Sequence, residues 1–389
     1  MTRPVVLLCL LIFGNTFAVG AFPVLLADVA RTVGIDDFAL GVLAGAFGFA
    51  RLVSDIPAGL LITHHLRQAL VVGAGAVTAG SLCLGVGGPY ELLVDGRLLS
   101  GLGHTLVMLS GITGVVRYAR PGSHGLALNA YEMSGMLGIL GGMLCAGFLP
   151  REWPWNVTIL VASTPQILGL ALLPALLRAL PHEPARPGAP LFSRGRLGDE
   201  DGATGSRTVS QLTVLAFVAG TLLAVAWSSI GQFILPLRAS REFGLDRDGV
   251  ALLLAIPQLV DVLALLPLGT LADRSSRARV LGVVLLVLAA GVVAVAYGPL
   301  PLVVVGCIFF GVGLAAWMLP VALLNRDGAA HRVAWRTALY RVGVDAGIFL
   351  GPVVSGLLAE RAVLWLVGVL TSAGLVVASV ALLRTRDQR

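Results

Sequence analysis

The chain contains no lysine; all of its basic residues are arginine, and charged residues make up only 12% of its 389 positions. A soluble protein of this length carries about twice that charged fraction. With 57% hydrophobic residues, the chain has more apolar surface than a water-facing core can hold, so lipid must solvate part of it. Cysteine is also scarce. Cys9, Cys83, Cys145 and Cys307 all lie in apolar runs and form no Cys-x-x-Cys pair. That argues against metal or redox chemistry and points to small packing residues. No Gly-x-x-x-x-Gly-Lys-Ser/Thr loop, His-Glu-x-x-His helix or Gly-x-Ser-x-Gly elbow is found, so neither ATP hydrolysis nor enzyme activity has a motif behind it, and no cofactor is implied. His64-His65 reads as part of a loop without matching ligands. The net charge of +6 and pI near 9.7 come from arginines in short loops, which orient membrane helices; nucleic acid is not an expected partner.

Apolar runs of spanning length fill the chain. Hydropathy and turn signals divide it into twelve spans, at 5–26, 38–62, 69–88, 92–116, 126–149, 156–178, 211–236, 249–271, 280–298, 301–323, 338–358 and 362–383. The first run could pass for a signal peptide, but it is long for one and has a counterpart in the second half. Gly87-Gly88-Pro89 and Gly298-Pro299 read as tight turns between antiparallel helices. Residues 179–210 differ, being polar and rich in Pro, Gly and Arg, with the acidic run Asp199-Glu200-Asp201. They read as a flexible linker between a six-helix half at 1–178 and another at 211–389.

The arginines orient the bundle. Eighteen fall on one side, among them Arg3, Arg67, Arg117, Arg178, Arg274 and Arg384, and those of the linker. Six fall on the other: Arg31, Arg151, Arg238, Arg241, Arg247 and Arg361. The richer side is expected to be cytoplasmic, with both termini inside. Trp153 and Trp155 then suit an outer interfacial belt.

The halves repeat. At an offset of 210, Pro57-x-Gly59-x-Leu61 matches Pro267-x-Gly269-x-Leu271, Gly101-x-Gly103 matches Gly311-x-Gly313, and Gly34 and Asp36 match Gly244 and Asp246. At 209, Gly138, Gly142 and Gly147 match Gly347, Gly351 and Gly356. One offset kept across four regions marks a duplicated architecture, a known transporter plan.

On these residues the chain resembles the major facilitator superfamily, over essentially its whole length. Gly269-Thr-Leu271-Ala-Asp273-Arg274-Ser-Ser-Arg277-Ala-Arg279 resembles the family's cytoplasmic-loop signature. The resemblance implies that Asp273, Arg274 and Arg277 serve the cytoplasmic gate. The first-half copy is eroded, with Thr63 in place of the acid and His64 in place of the arginine. Arg97-Leu-Leu-Ser-Gly101-Leu-Gly103 resembles the Arg-x-x-x-Gly-x-Gly pattern tied to proton coupling. The glycine run of the fifth span resembles the antiporter signature, although Met143 stands where a proline is expected. The family implies an all-α fold of twelve membrane helices in two pseudo-symmetric halves.

A charge at mid-bilayer costs about 2.5–3.5 kcal/mol on insertion scales, so each needs a partner or a wet cavity. The intramembrane charges are Arg51, Asp55, Arg97, Glu132, Asp261, Arg341 and Asp345. Arg51 and Asp55 share a helix face, as do Arg341 and Asp345. These four are either two local pairs or, because their helices run in opposite directions, a cross-interface latch joining Asp55 to Arg341 and Arg51 to Asp345. Such a latch is expected to hold the cytoplasmic side shut. Asp261 has no local basic partner; a carboxyl in low dielectric takes up a proton more readily, which makes it a proton-coupling candidate unless another helix supplies an Arg. Glu132 is a second candidate, on a helix that the resemblance places opposite that of Asp261. Arg97 either contacts substrate, tunes an acid or pairs with Asp95. Asn15, Arg51, Gln232 and Gln258 are candidate substrate contacts, and Trp227 and Trp317 a candidate aromatic wall. The reading is a monomeric secondary carrier in the cell inner (plasma) membrane that exports a small organic solute against protons. The alternatives are uptake or symport of a small organic solute such as an anion, and a transporter-like receptor or scaffold.

Overall fold

The computed structural model describes residues 1–120, 123–180, 211–324 and 330–385; the side chains of His64 and of residues 330–338 are not described. The linker with Asp199-Glu200-Asp201 therefore lies outside the described residues, apart from 179–180, as do Arg186, Arg194, Arg196, Arg207, Arg326, Arg386 and Arg389 and the side chains of Arg332 and Arg336.

The described chain is helical, without strands. Twelve long helices follow one another: α1 (Arg3–Val24), α2 (Asp37–Thr63), α3 (His65–Val86), α4 (Tyr90–Tyr118), α5 (His124–Phe148), α6 (Trp155–Ala179), α7 (Gln211–Arg241), α8 (Arg247–Arg274), α9 (Arg277–Tyr297), α10 (Leu300–Leu324), α11 (Ala330–Glu360) and α12 (Trp365–Arg384). Eleven are long and apolar enough to cross a membrane; α5, glycine-rich and interrupted by Asn129 and Glu132, is not among them, yet its length suffices.

Three local features depart from the expected pattern. The second and third spans are joined by a kink at His65 (φ −136°, ψ 48°), so Thr63 is helical and the chain turns at one non-helical residue rather than through a loop. The Thr63 hydroxyl donates to the Gly59 carbonyl at 2.8 Å instead of supplying an acid. α1 breaks at Thr16, whose hydroxyl reaches the carbonyls of Ile12, Phe13 and, on α5, Gly135. α7 widens into a π-helical stretch over Ala226–Ile234. With the 210-residue offset, this stretch begins where the break in α1 falls, so the first helix of each half is irregular at matching depth.

The repeat landmarks have physical causes. Gly34 (φ 73°) and Gly244 (φ 61°) adopt left-handed backbone that side chains disfavour, each ending a helix just before an aspartate that opens the next. Asp36 caps α2, accepting from the Ala39 amide at 2.7 Å. The α5 and α11 glycines admit neighbouring backbone. A Cβ on Gly138 or Gly142 would lie 2.2 or 2.0 Å from the carbonyl of Phe13 or Phe17 on α1, and one on Gly351 would lie 2.2 Å from the Ser228 hydroxyl on α7. Close approach through small residues replaces the hydrophobic drive that lipid removes.

The helix ends define two faces. Thr2 bonds the Tyr118 carbonyl and Ser379 the Gly282 carbonyl, so both chain ends share a face. Tyr90, bonded to the Ala39 carbonyl, and Arg247, bonded to those of Pro150 and Trp153, mark the far face. Trp153 there is half-exposed, whereas Trp155 is buried in the core and belongs to no belt.

Candidate functional site between the halves

Two seams join the halves, α2 with α11 and α5 with α8. The first is sealed by glycine. Cβ atoms on Gly41, Gly45 and Gly48 would lie within 2.5–2.7 Å of the α11 backbone at Pro352, Phe349 and Phe349 again. At the middle of this seam, about 21 Å below the far end of α2, sit the four charges. Arg341 donates to both oxygens of Asp55, from Nη2 at 2.9 Å and Nε at 3.1 Å. Arg51 donates to Asp345 Oδ1, from Nε at 2.7 Å and Nη2 at 2.6 Å. Arg341 Nη2 also lies 3.8 Å from Asp345 Oδ2. The pairs are thus made across the interface rather than within each helix.

Their setting differs from the expected one. The quartet is formed while the far face is shut. There Arg247 reaches Asp28 Oδ2 at 3.0 Å and the Thr158 hydroxyl at 2.9 Å. Arg151 pairs with Asp246 and, at 2.8 Å, with Asp248. Arg241 pairs with Asp37 at 2.8 Å. Each of these crosses from one half to the other. Asp246 makes no capping bond to its own helix; it is turned to Arg151. Three of the six minority arginines therefore form a lock on this face, and a fourth, Arg238, ties α7 to the Val295 and Gly298 carbonyls. In the sequence the three lock arginines each lay beside an acid, Arg151 by Glu152, Arg241 by Glu242 and Arg247 between Asp246 and Asp248, and that adjacency was the available signal.

The remaining candidates are distributed as follows. Arg97 is buried and makes no bond to Asp95; its guanidinium lies over Phe22 (4.0 Å) and Phe47 (4.9 Å), and Nη2 donates to the Ala44 carbonyl at 3.2 Å. It sits only about 10 Å below the far end of α4, away from mid-depth. Asn15 Oδ1 accepts from His104 Nδ1 at 2.8 Å. His104, two turns beyond Arg97 and tilted against Phe47, was not singled out from the sequence, although any ionisable residue at this depth is a functional candidate. Glu132 is half-buried and within Coulomb range of Arg341. Asp273 and Arg277 pair with each other at 3.0 Å within the α8–α9 turn, and Arg274 is exposed beside them.

Asp261 is buried on α8, and among the described residues its Oδ1 has no hydrogen-bond partner. One turn above it, Gln258 lines a small cleft with Gln232, Trp227 and Gly231 of α7, Leu254 and Pro257 of α8, Phe310 and Leu314 of α10, and Met143 of α5. Trp227 meets Trp317 edge to face, 6.5 Å between ring centres. The π-helical stretch carries Trp227, Gly231 and Gln232, the kind of irregularity that recurs at binding sites.

Comparison with known proteins agrees with this architecture. Polyol transporter 5 of Arabidopsis thaliana is 27% identical over 176 residues, 44% of this chain and 31% of that protein. The facilitated glucose transporter member 10 of Homo sapiens is 30% identical over 138 residues, 34% of this chain and 26% of that protein. The chain spans about a fifth to a third of the length of the curated relatives it matches. In fold it matches a mutant of the nucleoside transporter NupG (TM-score 0.77, 15% identity, 98% of this chain and 99% of that one) and a POT family transporter in complex with 5-aminolevulinic acid (TM-score 0.80, 14% identity, 98% and 95%). The Major Facilitator Superfamily model matches residues 8–230 and 212–389. Two pseudo-symmetric six-helix halves, meeting at seams of glycine and paired charge around a mid-depth cleft, thus place the chain in the major facilitator superfamily of membrane transporters.

Proposed function

We propose that this chain is a proton-coupled carrier that moves a small organic solute by alternating access, with Asp261 as the proton site. The observation that carries the reading is the buried Asp261 carboxyl, whose Oδ1 has no hydrogen-bond partner among the described residues, one turn from Gln258 of the cleft. A carboxylate left alone in low dielectric costs more than a protonated one, so solute binding and protonation there are coupled. The intramembrane charges support a single proton: Arg51, Arg97 and Arg341 stand against Asp55, Glu132, Asp261 and Asp345, which leaves one negative charge over. The shut far face is the state in which the cleft is served from the face carrying the termini. By the arginine bias that face is the cytoplasm and the membrane the cell inner membrane. The cycle then runs as export by a monomer, the far-face lock opening to release solute and admit a proton. Asp273, Arg274 and Arg277 act at the cytoplasmic ends of the gate.

Arg97 lies over two phenyl rings and bonds one carbonyl, and its buried Nε, without a hydrogen-bond partner among the described residues, keeps it a candidate in the proton pathway. A second reading, carriage of a neutral hydroxylated solute, is supported by the amides Gln232 and Gln258 in the cleft and by the polyol and glucose transporters among the relatives.

The test is flux in proteoliposomes under an imposed pH gradient. Wild-type flux should follow the gradient, and Asp261→Asn, folded as the wild type, should lose that response. Wild-type counterflow that ignores pH would remove the proton from the cycle.

A further inference from the structure

The repeat relates the two seams residue by residue, and on charge they are opposites. Offset 210 carries α2 onto α8, and offset 209 carries α5 onto α11. A contact at each far end verifies this register. Gly356 of α11 packs on Gly41 of α2, and the equivalent pair, Gly147 and Ala251, also touch, with a Gly147 Cβ placed 2.2 Å from that of Ala251. In the same register Arg51 corresponds to Asp261 and Arg341 to Glu132. Asp345 corresponds to Met136 and Asp55 to Leu265. The α2–α11 seam therefore holds two guanidinium groups, each against a carboxylate. The α5–α8 seam holds two carboxylates where the guanidiniums stood and apolar side chains where the carboxylates stood. Glu132 finds Arg341 of the other seam within Coulomb range. Asp261 Oδ1 is buried without a hydrogen-bond partner among the described residues, and the position equivalent to Asp345, the partner of Arg51, is Met136.

Beside this acid are the features that suit an organic cation. Trp227, which lines the cleft with Gln258 and is backed edge to face by Trp317, supplies an aromatic ring of the kind that attracts a positive charge. Gln258 stands one turn away with an acceptor oxygen, and Met143, Phe310 and Leu314 supply an apolar wall. A neutral hydroxylated solute would use the amides and leave Asp261 alone.

We propose that the α5–α8 seam is a site for one ammonium or guanidinium group of the transported solute, with Asp261 its counter-ion and the Trp227–Gln258 cleft the receptacle for the rest of the molecule. The inference rests on the carrier reading above and names the substrate class. Proton and organic cation then occupy the same carboxyl in turn, so that an exchange of one for the other is electroneutral.

The full chain in lipid nanodiscs provides the test. The probes are a panel of monovalent arylalkylamines, phenethylamine among them, each paired with its neutral alcohol isostere, and binding is read from tryptophan fluorescence and thermal shift. At least one amine should bind and its alcohol should not. Asp261→Asn should abolish the amine signal. Met136→Arg places a tethered guanidinium where the repeat predicts the missing partner, and it should abolish amine binding while raising thermal stability. Met136→Lys serves if the arginine variant does not fold. Alcohols that bind as well as amines, amine binding that survives Asp261→Asn, or silence from every amine would overturn the proposal. An Asp261-dependent pH response in flux of neutral solutes alone would leave the proton reading standing and remove the cation site.

Discussion

The charge quartet makes a prediction that depends on its geometry. Arg341 holds both oxygens of Asp55, whose side chain is only 5% exposed. Arg341→Ala leaves that carboxylate buried against Asp345 with only the charge of Arg51 to offset it, and removing one partner of a buried pair costs about 3–5 kcal/mol. Asp55→Ala is not the mirror image. Arg341 Nη2 already lies 3.8 Å from Asp345 Oδ2, an oxygen without a hydrogen bond among the described residues. The freed guanidinium can close on it, so the loss should fall to about 1–2 kcal/mol, the scale of one buried hydrogen bond exchanged for another. Replacing both residues by leucine removes both charges and should recover most of the Arg341→Ala loss, since apolar substitutes for a buried pair are often neutral or stabilising. The assay is equilibrium unfolding in mixed micelles, followed by circular dichroism across the full cycle of single and double variants. Equal losses for Asp55→Ala and Arg341→Ala, or a double variant as weak as the sum of the singles, would refute the shared-carboxylate arrangement.

Further predictions concern other parts of the interface. Arg247→Ala removes the link to Asp28 and Thr158 and should shift the far face towards open, seen as longer spin-label distances between positions 32 and 252; unchanged distances would mean that the lock does not set the state. Ala at Gly138 places a Cβ 2.2 Å from the Phe13 carbonyl and should destabilise by about 1–3 kcal/mol, as overpacking does, whereas Ala at Gly59, with nothing within 4 Å, should be silent in the same thermal melt. His104→Leu breaks the bond to Asn15 and should lower solute affinity with the fold intact; flux and apparent affinity unchanged from wild type would assign the pair to packing alone.

Much of this was legible in the sequence because its causes are local. Span limits follow from apolar runs, and most helix ends fall within a few residues of them, although α7 runs on to Arg241 and α11 starts as early as Ala330. Several glycine matches have a cause in the fold: Gly101, Gly138, Gly142, Gly311 and Gly356 admit a neighbouring backbone that no side chain could, and Gly34 and Gly244 adopt a left-handed turn, whereas Gly59 and Gly269 meet nothing. The antiparallel order of Arg51–Asp55 and Arg341–Asp345 already implied pairing across the halves, since opposite helix directions bring unlike charges level. What was not legible depended on three-dimensional juxtaposition. Nothing in the run around Asp28 says that Arg247, over two hundred residues away, completes it. Arg97 had Asp95 two residues off, but residues two apart do not face each other on a helix, and the guanidinium turned to the rings of Phe22 and Phe47 instead. The π-helical stretch of α7 has no compositional mark. The loop expected at His64-His65 vanished because α3 resumes immediately beyond a single kinked residue.

The weak apolarity of α5 bears on how the protein is made. A chain emerging from the ribosome delivers α1 to the bilayer first, and α1 is apolar enough to settle there unaided. α5 is not, and its glycines are shaped to the α1 backbone rather than to lipid. Its membrane residence is therefore a loan from the first helix: α1 must remain near the insertion machinery until α5 arrives, and damage to their contact would be read by cellular quality control as a missing protein before it could be read as a slow transporter.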